Sequence, residues 1–332
     1  MNMDDIAQLA KVSKASVSLA LNDQPGVSDE TRQRVLQIAK AHNYRPRRRT
    51  TKPVAKPILH FITVNIKGQK QRPSELPFFA NLIAEISVIT QRQHISLQIE
   101  ALDESQLTNW AKSVSEDDPL FFGTIVLATS LTREQILMFT RSLSKVLILD
   151  SDYKDLAVNA VAIDNYLGGF RAASALLQRG YRDIGYVEAV EQYPNYTERR
   201  KGFLDKLTDA GIAPTQTYSV NSMSMQQCTE DEEIFTHPLP RAIFCDNDYI
   251  AIRLMRLALQ KGIRIPQELG VIGFDDITEG HIVSPELTTI HVPVHTIAKV
   301  AVSRLTELAS GKLNEYTFKQ LIEPQLIQRH SL

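Results

Sequence analysis

From Pro57 onward the chain repeats one pattern: short apolar runs rich in β-branched residues alternate with longer stretches of helical periodicity. The runs are "ILHFITVNI" (58–66), "ISLQIEAL" (95–102), "GTIVLAT" (123–129), "KVLILD" (145–150), "AVAID" (160–164), "IGYVEA" (184–189), "RAIFCD" (241–246) and "LGVIGFDD" (269–276). Helical stretches include 76–93, 167–179, 195–210, 249–261 and 296–309. A run that is apolar throughout must be covered on both faces, and parallel neighbours need a crossover, most often a helix. The pattern therefore predicts an α/β body of parallel sheets. Eight such units exceed one compact sheet, so two doubly wound lobes are expected, dividing near residues 160–165.

The first 45 residues do not share this pattern. Three short helices are expected there: one from about Asp4 to Lys11, a second capped by Ser13, and a third opening at Ser28 with Asp29 and Glu30 where the helix dipole favours acids. Only "VS" separates the first two, the geometry of a helix-turn-helix, whose second helix enters a DNA major groove. Charge agrees. Residues 1–56 hold eleven Lys and Arg against five acids, a net of +6, and the remaining residues carry −7, giving the chain's −1. A small basic head on an acidic body points to a polyanionic partner for the head.

The second helix, "KASVSLAL", presents Lys14, Ala15, Ser18, Leu19 and Asn22 outward by its three- and four-residue spacing. Val17, Ala20 and Leu21 then point inward. Small residues (Ala15, Ser16, Ser18) permit close approach to base edges. Ser13, Ser18 and Asn22 can donate to phosphates, Lys14 can reach a guanine edge, and Leu19 can lie on a thymine methyl. Ser28 and Thr31, in the first turn of the third helix, complete the candidate DNA-binding set. Packing of Leu19 into a three-helix core is the competing expectation.

The stretch "MDDIAQLAKVSKASVSLALNDQPGVSDETRQRVLQIAKAHNYRP" resembles the headpiece of the lactose-repressor family of bacterial transcription regulators. The resemblance implies base reading by Lys14, Ala15 and Leu19. It divides the chain into a headpiece (1–46), a linker (47–57) and an effector-binding, dimerising core (58–332). Family members continue into a hinge helix that wedges a leucine into the minor groove. Here "RPRRRTTKPVAKP" places Pro53 at that position, and Pro53 and Pro57 disfavour a helix. A basic arm of Arg47, Arg48 and Arg49 on phosphates or in the minor groove is expected instead.

In the body, ligand chemistry should gather at the carboxyl ends of the strands, between the lobes. Asp275 ends "GVIGFDD", Asn247 follows "AIFCD" at a helix start, and Arg199 lies in the first turn of a helix after "IGYVEAVEQYP". Together a carboxylate, an amide and a guanidinium can hold vicinal hydroxyls or a carboxylate-bearing sugar. Simpler roles compete: Asp246 and Asp276 as helix caps, Arg199 and Arg200 as solvated charges, Phe79 as core.

The family resemblance extends through "LPFFANLIAEI", "VAIDNYLGGFRAASALLQRGYRDIGYV" and "AIFCDNDYIAIRLMRLALQKGIRIPQELGVIGFDDITEGHIVSPELTTIHVP". It implies a dimeric, two-lobed sensor resembling periplasmic sugar-binding proteins, with lobes at about 58–162 and 163–290 and a C-terminal segment returning between them. By the same resemblance, Arg199, Asn247 and Asp275 hold the effector, joined by Phe79 and Asp164. Val292 replaces a frequent glutamine of the family.

No G-x-G-x-x-G or P-loop spacing occurs, and no serine or cysteine sits in a recognisable nucleophile turn. "HVPVH" (291–295) lacks a third metal ligand. No metal, cofactor or catalytic activity is expected. Cys228 and Cys245 form no disulfide or metal pattern, and the acidic N-terminus is unlike a signal peptide, so a cytoplasmic location is expected. The expected function is a repressor of carbohydrate uptake or catabolism genes that binds operator DNA as a homodimer under a sugar-like effector, away from membranes. The alternatives are a soluble solute-binding protein and an enzyme on a doubly wound scaffold.

Overall fold

The computed structural model describes residues 2–44, 55–65, 76–222, 224–226, 228–312 and 316–332. The chain divides into two compact units, Met1–Ala55 and Lys56–Leu332.

The first unit contains α1 (Met3–Ala10), α2 (Lys14–Leu21) and α3 (Asp29–Ala41). Each begins on a side-chain cap that satisfies a first-turn amide: Asn2 for α1, Ser13 for α2 and Ser28 for α3. Lys11 takes a left-handed conformation to end α1, so α2 starts three residues later. Ile6, Ala10, Val17, Ala20 and Val35 close a small core, with Leu21 and Ile38 packed partly buried against it.

The second unit contains β1 (Ile58–Asn65), α4 (Pro77–Arg92), β2 (Ser96–Asp103), α5 (Leu107–Ser113), β3 (Phe121–Leu127), α6 (Arg133–Ser142), β4 (Val146–Leu149) and β5 (Ala160–Ile163). It continues with α7 (Asn165–Gln178), β6 (Ile184–Ala189), α8 (Pro194–Asp209), β7 (Gln216–Val220), α9 (Thr229–Glu233), β8 (Ala242–Cys245), α10 (Asp248–Gln260), β9 (Gly270–Asp275), α11 (Glu279–Ile282) and β10 (Thr288–His291). The last elements are α12 (Val294–Ala309), β11 (Lys319–Ile322) and β12 (Gln325–Ile327).

Two six-stranded sheets result, ordered β11-β5-β4-β3-β1-β2 and β12-β10-β9-β8-β6-β7. The fold is α/β with two lobes, as the alternation predicts. The C-terminal segment is shared between the lobes rather than lying between them: α12 packs on α4 and behind β3 to β5, β11 extends the first sheet, and β12 extends the second. The chain thus passes between the lobes after β5, after β10 and after β11. The sheets are not wholly parallel either, because β12 runs antiparallel to β10. An edge strand three residues long needs a covered face only on one side, which explains why its sequence carries no apolar run.

Candidate functional site

The strand ends meet at the passages between the lobes, where backbone geometry turns two aspartates out of their strands. Asp150, after β4, and Asp275, ending β9, both have positive φ, 61° and 113°. Such conformations cost about 1–3 kcal/mol outside glycine and persist only where the surroundings hold them.

Arg199 reaches the same point from the first turns of α8. A pair of glycines places it there. A Cβ on Gly169 of α7 would stand 1.9 Å from the Arg199 carbonyl oxygen, and one on Gly202 of α8 would stand 1.9 Å from the Tyr166 carbonyl oxygen. The two helices therefore touch backbone to backbone, and the "YLGGF" motif serves packing. Arg199 is 4% exposed. Its Nε donates to Asn165 Oδ1 at 2.8 Å, Nη1 to the Asp246 carbonyl at 2.6 Å, and Nη2 to Asp275 Oδ1 at 3.2 Å. Its guanidinium lies 3.6 Å from the centroid of the Phe274 ring. Expected solvation of Arg199 is thus overturned. Arg200, by contrast, is half-buried and pairs with Glu188.

Asn247 is the N-cap of α10: its Oδ1 accepts from Ile250 N at 2.9 Å, and its Nδ2 donates to Tyr196 Oη and the Ser222 carbonyl. The neighbouring Asp246, expected as a possible cap, instead accepts from the Tyr186 hydroxyl and from Ala189 N. Asp276 is no cap either, accepting from His291 and Arg329. Asp164 caps α7 through Leu167 N at 2.9 Å. Phe79 belongs to the core, and Phe78, one residue earlier, lines a cavity of about 360 Å³ with Asn81, Asp275, Val292 and Val294. Helical rotation of about 100° per residue separates the two phenylalanine directions.

Burial dominates the electrostatics. It raises Asp275 to about 7, against the charge of Arg199, and the negative charges of Asp150 and Asp246 push the same way. It raises Asp150 to about 6 despite the Thr129 hydrogen bond and Arg199, and Asp246 to about 6 despite Tyr186. Asp150 and Tyr249 were not among the sequence candidates. Asp150 ends a β-run as Asp275 does, so the strand-end rule could have found it. Tyr249 looks like an ordinary helix residue, yet its hydroxyl accepts from Phe78 N at 3.2 Å, joining α10 to the start of α4. A second link between lobes runs from Asn195 Nδ2 to the Asp150 carbonyl at 3.1 Å.

In the first unit, α2 exposes Lys14, Ala15 and Asn22, with Ser16, Ser18 and Leu19 half-buried. Leu19 is outside the small core. It faces the Gly26 turn, where a Cβ would stand 3.2 Å from Leu19 Cδ1. Ser13 and Ser28 are caps, the latter also donating to the Thr31 hydroxyl, while Lys14 pairs with Asp4 at 2.7 Å in an exposed ion pair worth little. Arg47, Arg48, Arg49 and Pro53 lie outside the described residues.

A helix-turn-helix head followed by a two-lobed core with a polar interlobe cluster defines a transcription regulator carrying a ligand-binding module. Residues 2–47 match the lacI family of bacterial regulatory proteins, and residues 173–332 match the periplasmic binding protein-like domain. The head is thus similar to the lacI family and the second lobe with the C-terminal segment to the periplasmic binding protein-like domain. It is 28% identical to the probable HTH-type transcriptional repressor ExuR of Bacillus subtilis over 93% of this chain and 92% of that protein. Its fold is similar to that of the transcriptional regulator CelR–cellobiose complex (TM-score 0.72, 20% identity, 100% of both chains). It is likewise similar to the Lac repressor dimer bound to operator and the anti-inducer ONPF (TM-score 0.71, 20% identity, 100% of this chain and 98% of that one).

Proposed function

We propose that this chain is a homodimeric repressor that reads operator DNA through α2 and changes its DNA affinity when a hydroxylated, carbohydrate-class effector binds between the lobes. The observation carrying this reading is the Arg199–Asp275 pair, buried where two lobes meet at their strand ends, in a chain that also bears a helix-turn-helix head. Ligands in two-lobed α/β proteins bind at such crevices, and closing the lobes on one is a natural source of a conformational signal. The similar structures support the partners: one contains cellobiose, the other operator DNA, an anti-inducer and a dimer.

In this reading Lys14, Ala15 and Leu19 contact bases, and Ser13, Ser16, Ser18, Asn22, Ser28 and Thr31 surround them. Arg199, Asn247 and Asp275 organise the effector cleft, with Asp164 at one edge. The protein acts in the cytoplasm and catalyses no reaction. Among the described residues no helix is long and apolar enough to cross a membrane. Gel-shift titration of the full chain against DNA from upstream of its own gene, with and without candidate sugars, tests the proposal. Retarded operator, competed poorly by random DNA and altered by one sugar, is the expected result. Equal retardation of all sequences, unaffected by every sugar, would remove it.

A further inference from the structure

The charge inside the cleft selects a ligand class, given the effector reading above. Three carboxylates surround Arg199. Asp275 touches it directly, Asp246 offers it a carbonyl, and Asp150 feels its charge. All three aspartates are less than one-tenth exposed. Arg200 also faces Asp246, but it is paired with Glu188. One guanidinium cannot neutralise three buried carboxylates, and a charge left unpaired away from water costs several kcal/mol. Among the described residues, Asp150 is the one of the three with a buried carboxylate oxygen left short of a full hydrogen bond. Its Oδ2 accepts from the Thr129 hydroxyl at 2.5 Å, but its buried Oδ1 lacks a well-formed hydrogen bond among the described residues, with the Asn195 side-chain amide, committed to the Asp150 carbonyl at 3.1 Å, as the polar group beside it.

Arg199 is equally unsuited to greet an acidic ligand. Three of its five N–H groups already donate to protein, one from each nitrogen, and Phe274 covers its face. A carboxylate-bearing sugar, the other option raised by the sequence, would bring a further negative charge to a guanidinium that is already paired with Asp275 and set among three carboxylates. The cations at the edge near Asp164 are committed too: Lys154 pairs with Glu198 at 2.5 Å, and Lys319 with Asp152 at 3.3 Å. Lys67, Lys70 and Arg72 lie outside the described residues.

We propose that the cleft of this chain is built for a hydroxylated ligand bearing a positive charge, an amino sugar in its protonated form, whose ammonium group satisfies Asp150 beside the Arg199–Asp275 pair. An ammonium supplies up to three donors and the missing positive charge in one group. Hydroxyls supply donors without the charge, and a uronic acid adds a fourth negative group. The raised proton affinity of Asp150 and Asp275 fits the same picture, since an unliganded cleft of this composition relieves its excess charge by taking up protons.

Calorimetric titration of the full chain at neutral pH with D-glucosamine, D-galactosamine, N-acetyl-D-glucosamine, D-glucose, D-galactose, D-glucuronate and D-galacturonate tests this. One of the two amines should bind about ten- to a hundredfold more tightly than its neutral parent, the range expected for a charge-assisted hydrogen bond. N-acetylation, which removes the charge and keeps the ring, should abolish a preference for glucosamine. Asp150→Asn should reduce the amine's advantage to within a few-fold of the neutral sugar. A neutral sugar or uronate that binds as tightly as the amines overturns the inference, as does a failure of both amines to bind. Operator affinity measured alongside separates the two proposals. A uronate that binds and changes operator affinity leaves effector control standing and this inference refuted; an amine that binds without changing operator affinity does the reverse.

Discussion

Arg199 Nη2 and Asp275 Oδ1 lie 3.2 Å apart, both side chains less than one-tenth exposed, joining the first turns of α8 to the end of β9. The members of the pair are not equivalent: Asp275 also lines the cavity of about 360 Å³, and Arg199 stands behind it. Arg199 also holds Asn165 and the Asp246 carbonyl, whereas Asp275 has Arg199 as its charged partner at a strained backbone position.

Removing the two should therefore have different consequences. Arg199→Ala strips the central guanidinium from three carboxylates and should destabilise the core by about 3–5 kcal/mol. Asp275→Asn keeps shape and relieves charge, so it should melt close to the native protein and lose effector response, with operator binding in the absence of effector nearly unchanged. Urea denaturation followed by effector titration distinguishes them. A normal effector response in Asp275→Asn would remove this residue from the site.

The pH dependence follows from the same cluster. Asp150, Asp246 and Asp275 bind protons more tightly folded, at about 6, 6 and 7, than the ordinary value of 3.8. Between about pH 4 and pH 7 the folded state thus holds more protons than the unfolded one, and stability falls as pH rises through that window. Asp276 has the opposite tendency: burial raises it, but the His291 and Arg329 hydrogen bonds win, and its contribution is lost only on acidification below the ordinary range. Chemical denaturation of the unliganded chain at pH 5 and at pH 8 should show the higher midpoint at pH 5. A midpoint that climbs towards pH 8 would mean the cluster is not buried as described.

Gly202→Ala should be more damaging than a helix propensity scale suggests. Alanine favours helices by about 1 kcal/mol over glycine, but here the added methyl would stand 1.9 Å from the Tyr166 carbonyl oxygen. Overpacking of this kind costs about 1–3 kcal/mol or more and should push α8 away from α7, carrying Arg199 with it. Loss of both stability and effector affinity is expected. A stabilised variant with unchanged effector affinity would show that the helices can separate freely.

Leu19 is half-buried beside Gly26, outside the small core that holds Val17. Leu19→Ala should cost the first unit less than the roughly 2–5 kcal/mol of a packed-core leucine, weaken operator binding modestly and relax a preference for T·A. Leu19→Arg should shift that preference towards G by about 1–3 kcal/mol. Binding-site selection with the full-length variants, together with near-ultraviolet and far-ultraviolet melting, checks both. A large stability loss with Leu19→Ala would assign the residue to the core.

For the linker, simultaneous neutralisation of Arg47, Arg48 and Arg49 should lower affinity for all DNA sequences alike. It should also flatten the salt dependence by about one unit for each phosphate left unneutralised. Loss of operator discrimination at an unchanged salt slope would mean that the arm reads sequence.

The sequence by itself determined the strand–helix alternation and eight of the twelve strands of the described residues, leaving β7, β10, β11 and β12 unread. The apolar runs became parallel strands, covered except for β2, a largely exposed edge strand, and Ser13 and Ser28 had to cap helices because their hydroxyls meet first-turn amides within three residues. These are local relations, written in neighbouring side chains. Asp275, Asn247 and Arg199 were legible for a related reason: strand ends and helix starts can be located without knowing what they face. What they face was decided only by the tertiary structure. Sequence alone left Arg199 and Arg200 alike open to solvent, whereas the close approach at Gly169 and Gly202 sets α8 on α7 with Arg199 buried and Arg200 half-buried. Asn165 and Asp275 meet Arg199 from 34 and 76 residues away, Tyr249 meets Phe78 from 171, and β12 pairs with β10 across an intervening helix and strand. No spacing rule connects positions so distant, because Asn165 and Asp275 meet Arg199 only through the packing of helices on the second sheet, and Tyr249 meets Phe78 only where the two lobes face each other.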